Sequence, residues 1–211
     1  MYMTKLSYFL EIFKTAVSPY YRKHEETFDL ESLHGRFHIL RCLLLVDALD
    51  YFYSSKGVNF DIDSAYFAVL FHDIAREGNG FDEWESESAE HCYSYLKKNG
   101  MAEEAAVKIS RLILKETPFS LEGQILYDVD VLDYNRFFCF PQEEDLFDKR
   151  KLIVGSQLDV SKINDEIIRE KIIQLAQELV IISSAITIDI STEELVDKMY
   201  ESYLKLSFTS N

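Results

Sequence analysis

Seven glycines and three prolines in 211 residues leave too few turn positions for an all-β fold, which needs a tight turn every eight to twelve residues or so. There is no run of some twenty apolar residues, and Lys5, Glu11 and Lys14 interrupt the apolar pattern from Met1 to Val17. That pattern therefore has neither a signal-peptide core nor a membrane span. Cysteine is also sparse: Cys42, Cys92 and Cys139 are odd in number, widely spaced and set among apolar or aromatic neighbours, which fits reduced core residues rather than a disulfide framework or a CxxC metal site. Together these features place the expected chain in the cytoplasm. Basic charge is short as well, with 22 Lys and Arg against 37 Asp and Glu and a net charge of -15. Such a balance repels a phosphate backbone, so a nucleic acid polymer is not expected as a partner. A small phosphorylated ligand stays compatible, because a divalent cation inverts the field of an acidic pocket.

What is abundant is apolar and aromatic residues, 47% and 14% of the chain, enough for a substantial core. No repeat, low-complexity tract or Gly/Ser linker divides the chain, so a single domain over residues 1–211 is expected. Its spacing is helical. Leu6, Phe9, Leu10, Phe13 and Val17 recur every three or four residues, with Pro19 expected to close that helix. Leu33 to Tyr53 forms a longer one ended by Ser54, Ser55 and Gly57, and Asp61 or Asp63 caps a nearly all-apolar segment, Ala65 to Ile74, that belongs in the middle of the protein.

Further helices are expected over Glu85 to Lys98, Ala102 to Glu116, Leu121 to Phe140 with Pro141 at its end, Asp165 to Ser184, and Thr192 to Leu206 behind a Ser191/Glu194 capping box. Residues 144–161 are less regular. The C-terminal helices, over residues 142–211, are expected to pack back on a core of about residues 33–136, and their apolar stripe is also a face on which a homodimer could form.

Within the apolar run, Phe71-His72-Asp73-Ile74 puts an adjacent imidazole and carboxylate where their polar atoms need partners. Taken alone, such a doublet is more often a buried hydrogen-bonded pair than a ligand. His38 upstream and Asp130 downstream reverse those odds. Two imidazoles and two carboxylates make a donor set suited to Mn, Fe, Co, Ni or Zn better than to Ca.

His38-Ile39-Leu40-Arg41, then Phe71-His72-Asp73-Ile74, then Asp128-Val129-Asp130-Val131-Leu132-Asp133 resembles the H…HD…D signature of the HD superfamily over roughly Leu33 to Arg136. The resemblance implies an all-α HD-domain helical bundle with additional C-terminal helices. It further implies that His38, His72, Asp73 and Asp130 bind one divalent metal ion (Mn, Fe, Co, Ni, Zn or Mg), whose water attacks a small phosphomonoester or nucleotide. Asp73 would help orient that water. Ala75-Arg76-Glu77-Gly78 lacks the extra ligands of dinuclear relatives, and Trp84-Glu85-Ser86-Glu87 precedes Ser88-Ala89 where some relatives carry a His-Gly pair.

Around those four residues the assignments are graded by their rivals. His34 competes with His38, but Gly35 sets His34 before the helix and only His38 is followed by Arg41 at the matching distance. Arg41, Arg76 and Lys115 are the candidate substrate-phosphate contacts, and Arg76, three residues past Asp73, is the best placed to act in catalysis. Asp133 is expected to cap or to pair with Arg136, Asp128 to stand behind the site, and Glu77, Glu87, His24 and His91 to be ordinary surface or core residues. Two other functions share the pattern: a pocket that senses a nucleotide without turning it over, as in regulatory members of the superfamily, and a di-iron oxygenase, which needs further His ligands not found here.

Overall fold

The computed structural model describes residues 4–28, 34–78, 83–115, 120–133 and 166–206, and all regular structure in them is helical. The helices are α1 (Lys5–Ile12), a π-helical turn (Phe13–Val17), α2 (Ser18–Phe28), α3 (Arg36–Ser55), α4 (Ile62–Phe71), α5 (Glu85–Lys98), α6 (Glu103–Ile113), α7 (Leu121–Asp133), α8 (Glu166–Ser184) and α9 (Thr192–Leu206). An all-α bundle is therefore what the sequence encodes. Among the described residues no helix is long and apolar enough to cross a membrane.

The bundle is organised around α3, which packs against α1, α2, α4, α7, α8 and α9. From Arg36 to Leu49 only Asp47 on this helix is not buried, so it is covered on every side rather than along one stripe. Helix α4 lies beside it and carries α5 and α6, which pair with each other. Asp61 caps α4, accepting at Oδ1 from the Ser64 amide at 3.3 Å, and a left-handed Gly57 (φ 72°) follows the end of α3.

The N-terminal helix does not stop at Pro19 as its sequence predicts. It passes through the π turn, where the Ser18 amide reaches back to the Phe13 carbonyl, and continues to Phe28. Proline lacks the amide of a regular α turn and crowds the carbonyl four residues earlier; a widened π turn directly before it relieves both conflicts. At Tyr21, one turn beyond Ser18, the fully buried hydroxyl donates to the Leu70 carbonyl at 3.0 Å and accepts from the Asp73 amide. The end of α4 is thereby fixed from outside its own helix.

A second long-range clasp starts at Arg36. The residue is 1% exposed, and its guanidinium donates through Nε to Glu25 Oε2 (2.8 Å), through Nη1 to the Ile190 carbonyl (3.0 Å) and through Nη2 to the Ile188 carbonyl (3.1 Å). Glu25 Oε1 also accepts from the Arg36 amide. One side chain thus ties α2, the start of α3 and the α8–α9 connection together, and a Cβ on Gly35 would collide with the Glu25 carboxylate. Helices α8 and α9 both pack on α3, and Ile172, Leu175, Leu179, Leu195 and Met199 on them are buried. Arg136, Cys139, Pro118, Pro141, and the irregular segment 144–161 lie outside the described residues.

Candidate active site

His38 stands in the first turn of α3, where every neighbour is core, and its ring is fully buried. His72 and Asp73 occupy the turn that ends α4, and Asp130 is on the last turn of α7. Three elements thus bring the four predicted residues together. His38 Nε2 lies 3.1 Å from His72 Nε2, 3.6 Å from Asp73 Oδ2 and 3.5 Å from Asp130 Oδ1. His72 Nε2 lies 3.6 Å from Asp73 Oδ2 and 4.0 Å from Asp130 Oδ1.

The tautomers follow from the partners on the far side of each ring. His38 Nδ1 is 2.6 Å from Asp133 Oδ2, a carboxylate that also receives Arg41 Nε (2.6 Å) and Nη2 (3.0 Å) and is therefore ionised. His72 Nδ1 is 2.8 Å from the Val69 carbonyl, which can only accept. Each imidazole must donate through Nδ1, so both Nε2 atoms turn a lone pair toward the same point. Two acceptors facing each other at 3.1 Å repel unless a cation stands between them. Bonds of about 2.0–2.1 Å in a four- to six-coordinate shell put neighbouring donors about 3.0–3.4 Å apart, close to the spacings here. The N2O2 set of His38, His72, Asp73 and Asp130 fits a borderline divalent ion; donor atoms lie within 4.8 Å of one another in the trio His38, His72 and Asp130, and likewise in His34, His38 and Asp73 and in His38, Cys42 and Asp133.

Burial works to raise the Asp73 carboxyl, but positive charge at His72, a hydrogen bond from His34 and positive charge at His34 and His38 outweigh it and hold the group well below the usual carboxylate range; a cation shared by the two Nε2 atoms would supply that charge with both imidazoles neutral. His34 is the residue that sequence spacing passed over. It precedes α3, as Gly35 indicates, yet its Nδ1 sits 2.8 Å from Asp73 Oδ2, so His34 and His38 both belong to the cluster. Four-residue spacing across a helix start had posed them as rivals when the turn lets both rings face the same carboxylate.

The three predicted phosphate contacts separate. Arg76 is buried with Nη1 3.6 Å from Asp73 Oδ1, its Nε donating to the Gly78 carbonyl (2.9 Å) and its guanidinium 5.3 Å from the Trp84 ring centre. Lys115 reaches the other side, with Nζ 3.8 Å from Asp130 Oδ2 and 4.0 Å from Glu85 Oε1. It does so from a left-handed backbone (φ 52°), a conformation that costs a non-glycine residue about 1 kcal/mol or more. Arg41 instead turns away from the cluster, spending its guanidinium on Asp133 and, at 3.0 Å, on Ser183 Oγ of α8. Asp133 is accordingly a partner of His38 and Arg41, not a helix cap.

Outside the cluster, Asp128 is buried and accepts from Gln124 at 2.8 Å, Glu77 and Glu87 are exposed, and His91 sits edge-on to Tyr20. Burial, then Lys23, holds His24 below the ordinary imidazole range. Ser88 has a structural duty: its Oγ accepts from the Ala75 amide at 3.2 Å and steadies the turn after the doublet.

The model of the SidE phosphodiesterase (PDE) domain family matches residues 19–187. The chain belongs to that family. No curated protein and no solved structure gives a match. Membership in the SidE phosphodiesterase domain family overturns the HD-superfamily resemblance, and with it the HD label on the helical bundle. Two histidines and two aspartates in a given order specify a donor set, which any bundle can assemble if its helices converge at one end; they do not specify the chain that carries it. The match instead directs attention to diester rather than monoester phosphate chemistry, and it spans α2 through α8, hence every residue of the cluster.

Proposed function

We propose that this protein hydrolyses a phosphodiester at the cluster of His38, His72, Asp73 and Asp130. The observation that carries the reading is the convergence of two Nε2 lone pairs at 3.1 Å, fixed by acceptors on the opposite ring nitrogens and flanked by two carboxylates. His38, His72, Asp73 and Asp130 would hold one divalent cation. Such an ion supplies charge neutralisation for the phosphate and a water acidic enough to be hydroxide near neutral pH.

The remaining residues bind and move protons. Arg76 and Lys115 bring positive charge to opposite sides of the cluster, beside Asp73 and Asp130, and receive the non-bridging oxygens of a small phosphorylated substrate. As the water oxygen forms its bond to phosphorus, one ester P–O bond breaks and the leaving alkoxide needs a proton. His34, oriented by its Nδ1 contact with Asp73, delivers that proton from its other ring nitrogen.

The test is turnover of a panel of dinucleotide and aryl phosphodiesters by the parent and by Asp73→Ala, with metal content measured and Mn, Co, Ni or Mg added. Activity that falls by at least about 100-fold in the variant supports the proposal; equal turnover by both sinks it. Full activity in metal-free protein assigns the point between the two Nε2 atoms to a shared proton instead, and binding without turnover of any diester would make the pocket a sensor.

A further inference from the structure

We infer that Asp133 and Arg41, braced by Ser183 of α8, form a positioning relay that fixes the tautomer of His38 and makes the C-terminal part of the bundle a working part of the site. This rests on the proposed function in that His38 Nε2 is the atom whose presentation matters. The relay is continuous: Ser183 Oγ to Arg41 Nη1 (3.0 Å), Arg41 Nε and Nη2 to Asp133 (2.6 and 3.0 Å), Asp133 Oδ2 to His38 Nδ1 (2.6 Å). Every member is buried, and Ser183 is itself oriented by donating to the Val180 carbonyl at 2.9 Å.

The physical case is one of donor counting. A carboxylate can only accept, so an ionised Asp133 permits only the Nδ1–H form of His38, which leaves Nε2 to face His72. A buried carboxylate stays ionised only if its charge is matched, and the two-pronged guanidinium of Arg41 does that in the plane a carboxylate prefers. Arg41 has further donor capacity, and Ser183 takes one of its Nη1 hydrogens, which stops the guanidinium from swinging off Asp133. Nothing in the relay touches a substrate, so these are positioning residues rather than catalytic ones. The arrangement also explains why a residue on α8, more than 140 positions from Arg41 in the chain, contacts the machinery of α3 and α7.

The experiment compares the full-length parent with Asp133→Asn, Ser183→Ala and Ser183→Thr. Ring-nitrogen NMR of His38 in chelator-treated protein reads the tautomer without reference to activity. The parent should show Nδ1–H; Asp133→Asn, whose amide can donate, should shift His38 toward Nε2–H and lower kcat on the order of 10–100-fold with KM within about threefold. Ser183→Ala removes one hydrogen bond and should fold; kcat per folded molecule should fall about three- to tenfold, and Ser183→Thr should restore it. An unchanged His38 tautomer in folded Asp133→Asn overturns the inference, as does a Ser183→Ala protein that loses thermal stability but keeps the parent kcat. Should the parent cleave no diester, the proposed function fails while the tautomer measurement still decides the relay.

Discussion

Replacing Arg36, 1% exposed, by alanine removes a guanidinium that holds three separate parts of the chain. The loss divides into two terms. Glu25, itself 3% exposed, keeps a buried charge and loses the Arg36 guanidinium, which costs about 3–5 kcal/mol. The carbonyls of Ile188 and Ile190 each lose a donor, at about 1 kcal/mol apiece. A destabilisation of about 5–7 kcal/mol is a large part of the ~5–15 kcal/mol that holds a typical domain together, and at about 2–4 °C per kcal/mol for this size it lowers Tm by roughly 10–28 °C. Urea unfolding followed by far-UV circular dichroism measures it directly. A double variant, Arg36→Met with Glu25→Gln, removes both charges, keeps most of the buried volume, and should recover more than half of the loss. A loss below about 1 kcal/mol for Arg36→Ala, or double-mutant values that simply add, would refute the reasoning.

One further substitution, one chemical probe and one pH dependence complete the set. Tyr21→Phe removes the hydroxyl that donates to Leu70 and accepts from the Asp73 amide, so it should cost about 1–2 kcal/mol in urea unfolding and lower phosphodiester turnover by loosening the His72–Asp73 turn; parent-like values in both assays would show that the turn holds itself. Burial pushes the Cys92 thiol up to about 12. At pH 8 the native protein should therefore leave Cys92 unlabelled by iodoacetamide, as read by mass spectrometry of its peptide, while urea exposes it. Because the folded thiol titrates above an unfolded one near 8.5, its contribution to stability is complete below that value and declines as pH rises toward 12.

Much of the helical plan could be read from spacing because local periodicity decides it. Glu85–Lys98 and Thr192–Leu206 lie where their apolar stripes put them, and Ser191 Oγ does accept from the Glu194 amide, at 3.2 Å. Two kinds of information were not local. The Pro19 stop failed because the cost of proline depends on the turn before it, and the π geometry of Phe13–Val17 leaves no mark in apolar periodicity. The partnerships of Glu25 with Arg36, His34 with Asp73, and Asp133 with Arg41 join residues 11 to 92 positions apart, so neither spacing nor residue type could announce them.

The family presents the complementary lesson. His38, His72, Asp73 and Asp130 do gather, as their types and order led one to expect, because acidic and imidazole side chains in apolar helices must meet something polar. Yet the same need, met in the same way, drew the sequence toward the HD superfamily, and the SidE phosphodiesterase domain match corrects it. Donor chemistry constrains a site far more tightly than it constrains ancestry.

The π turn gives the N-terminal helix the character of an indexed shaft. One added residue in a helix of 3.6 per turn rotates everything after it by about 100°. The π turn absorbs one such residue, so deleting one within Phe13–Val17 would let the helix run on as regular α with Tyr21 still toward Leu70 and Glu25 still toward Arg36, whereas tightening the turn to α with no deletion would swing both away. The winding of this short stretch is therefore read out at both clasps, whereas an extension ahead of Lys5 leaves their phase untouched.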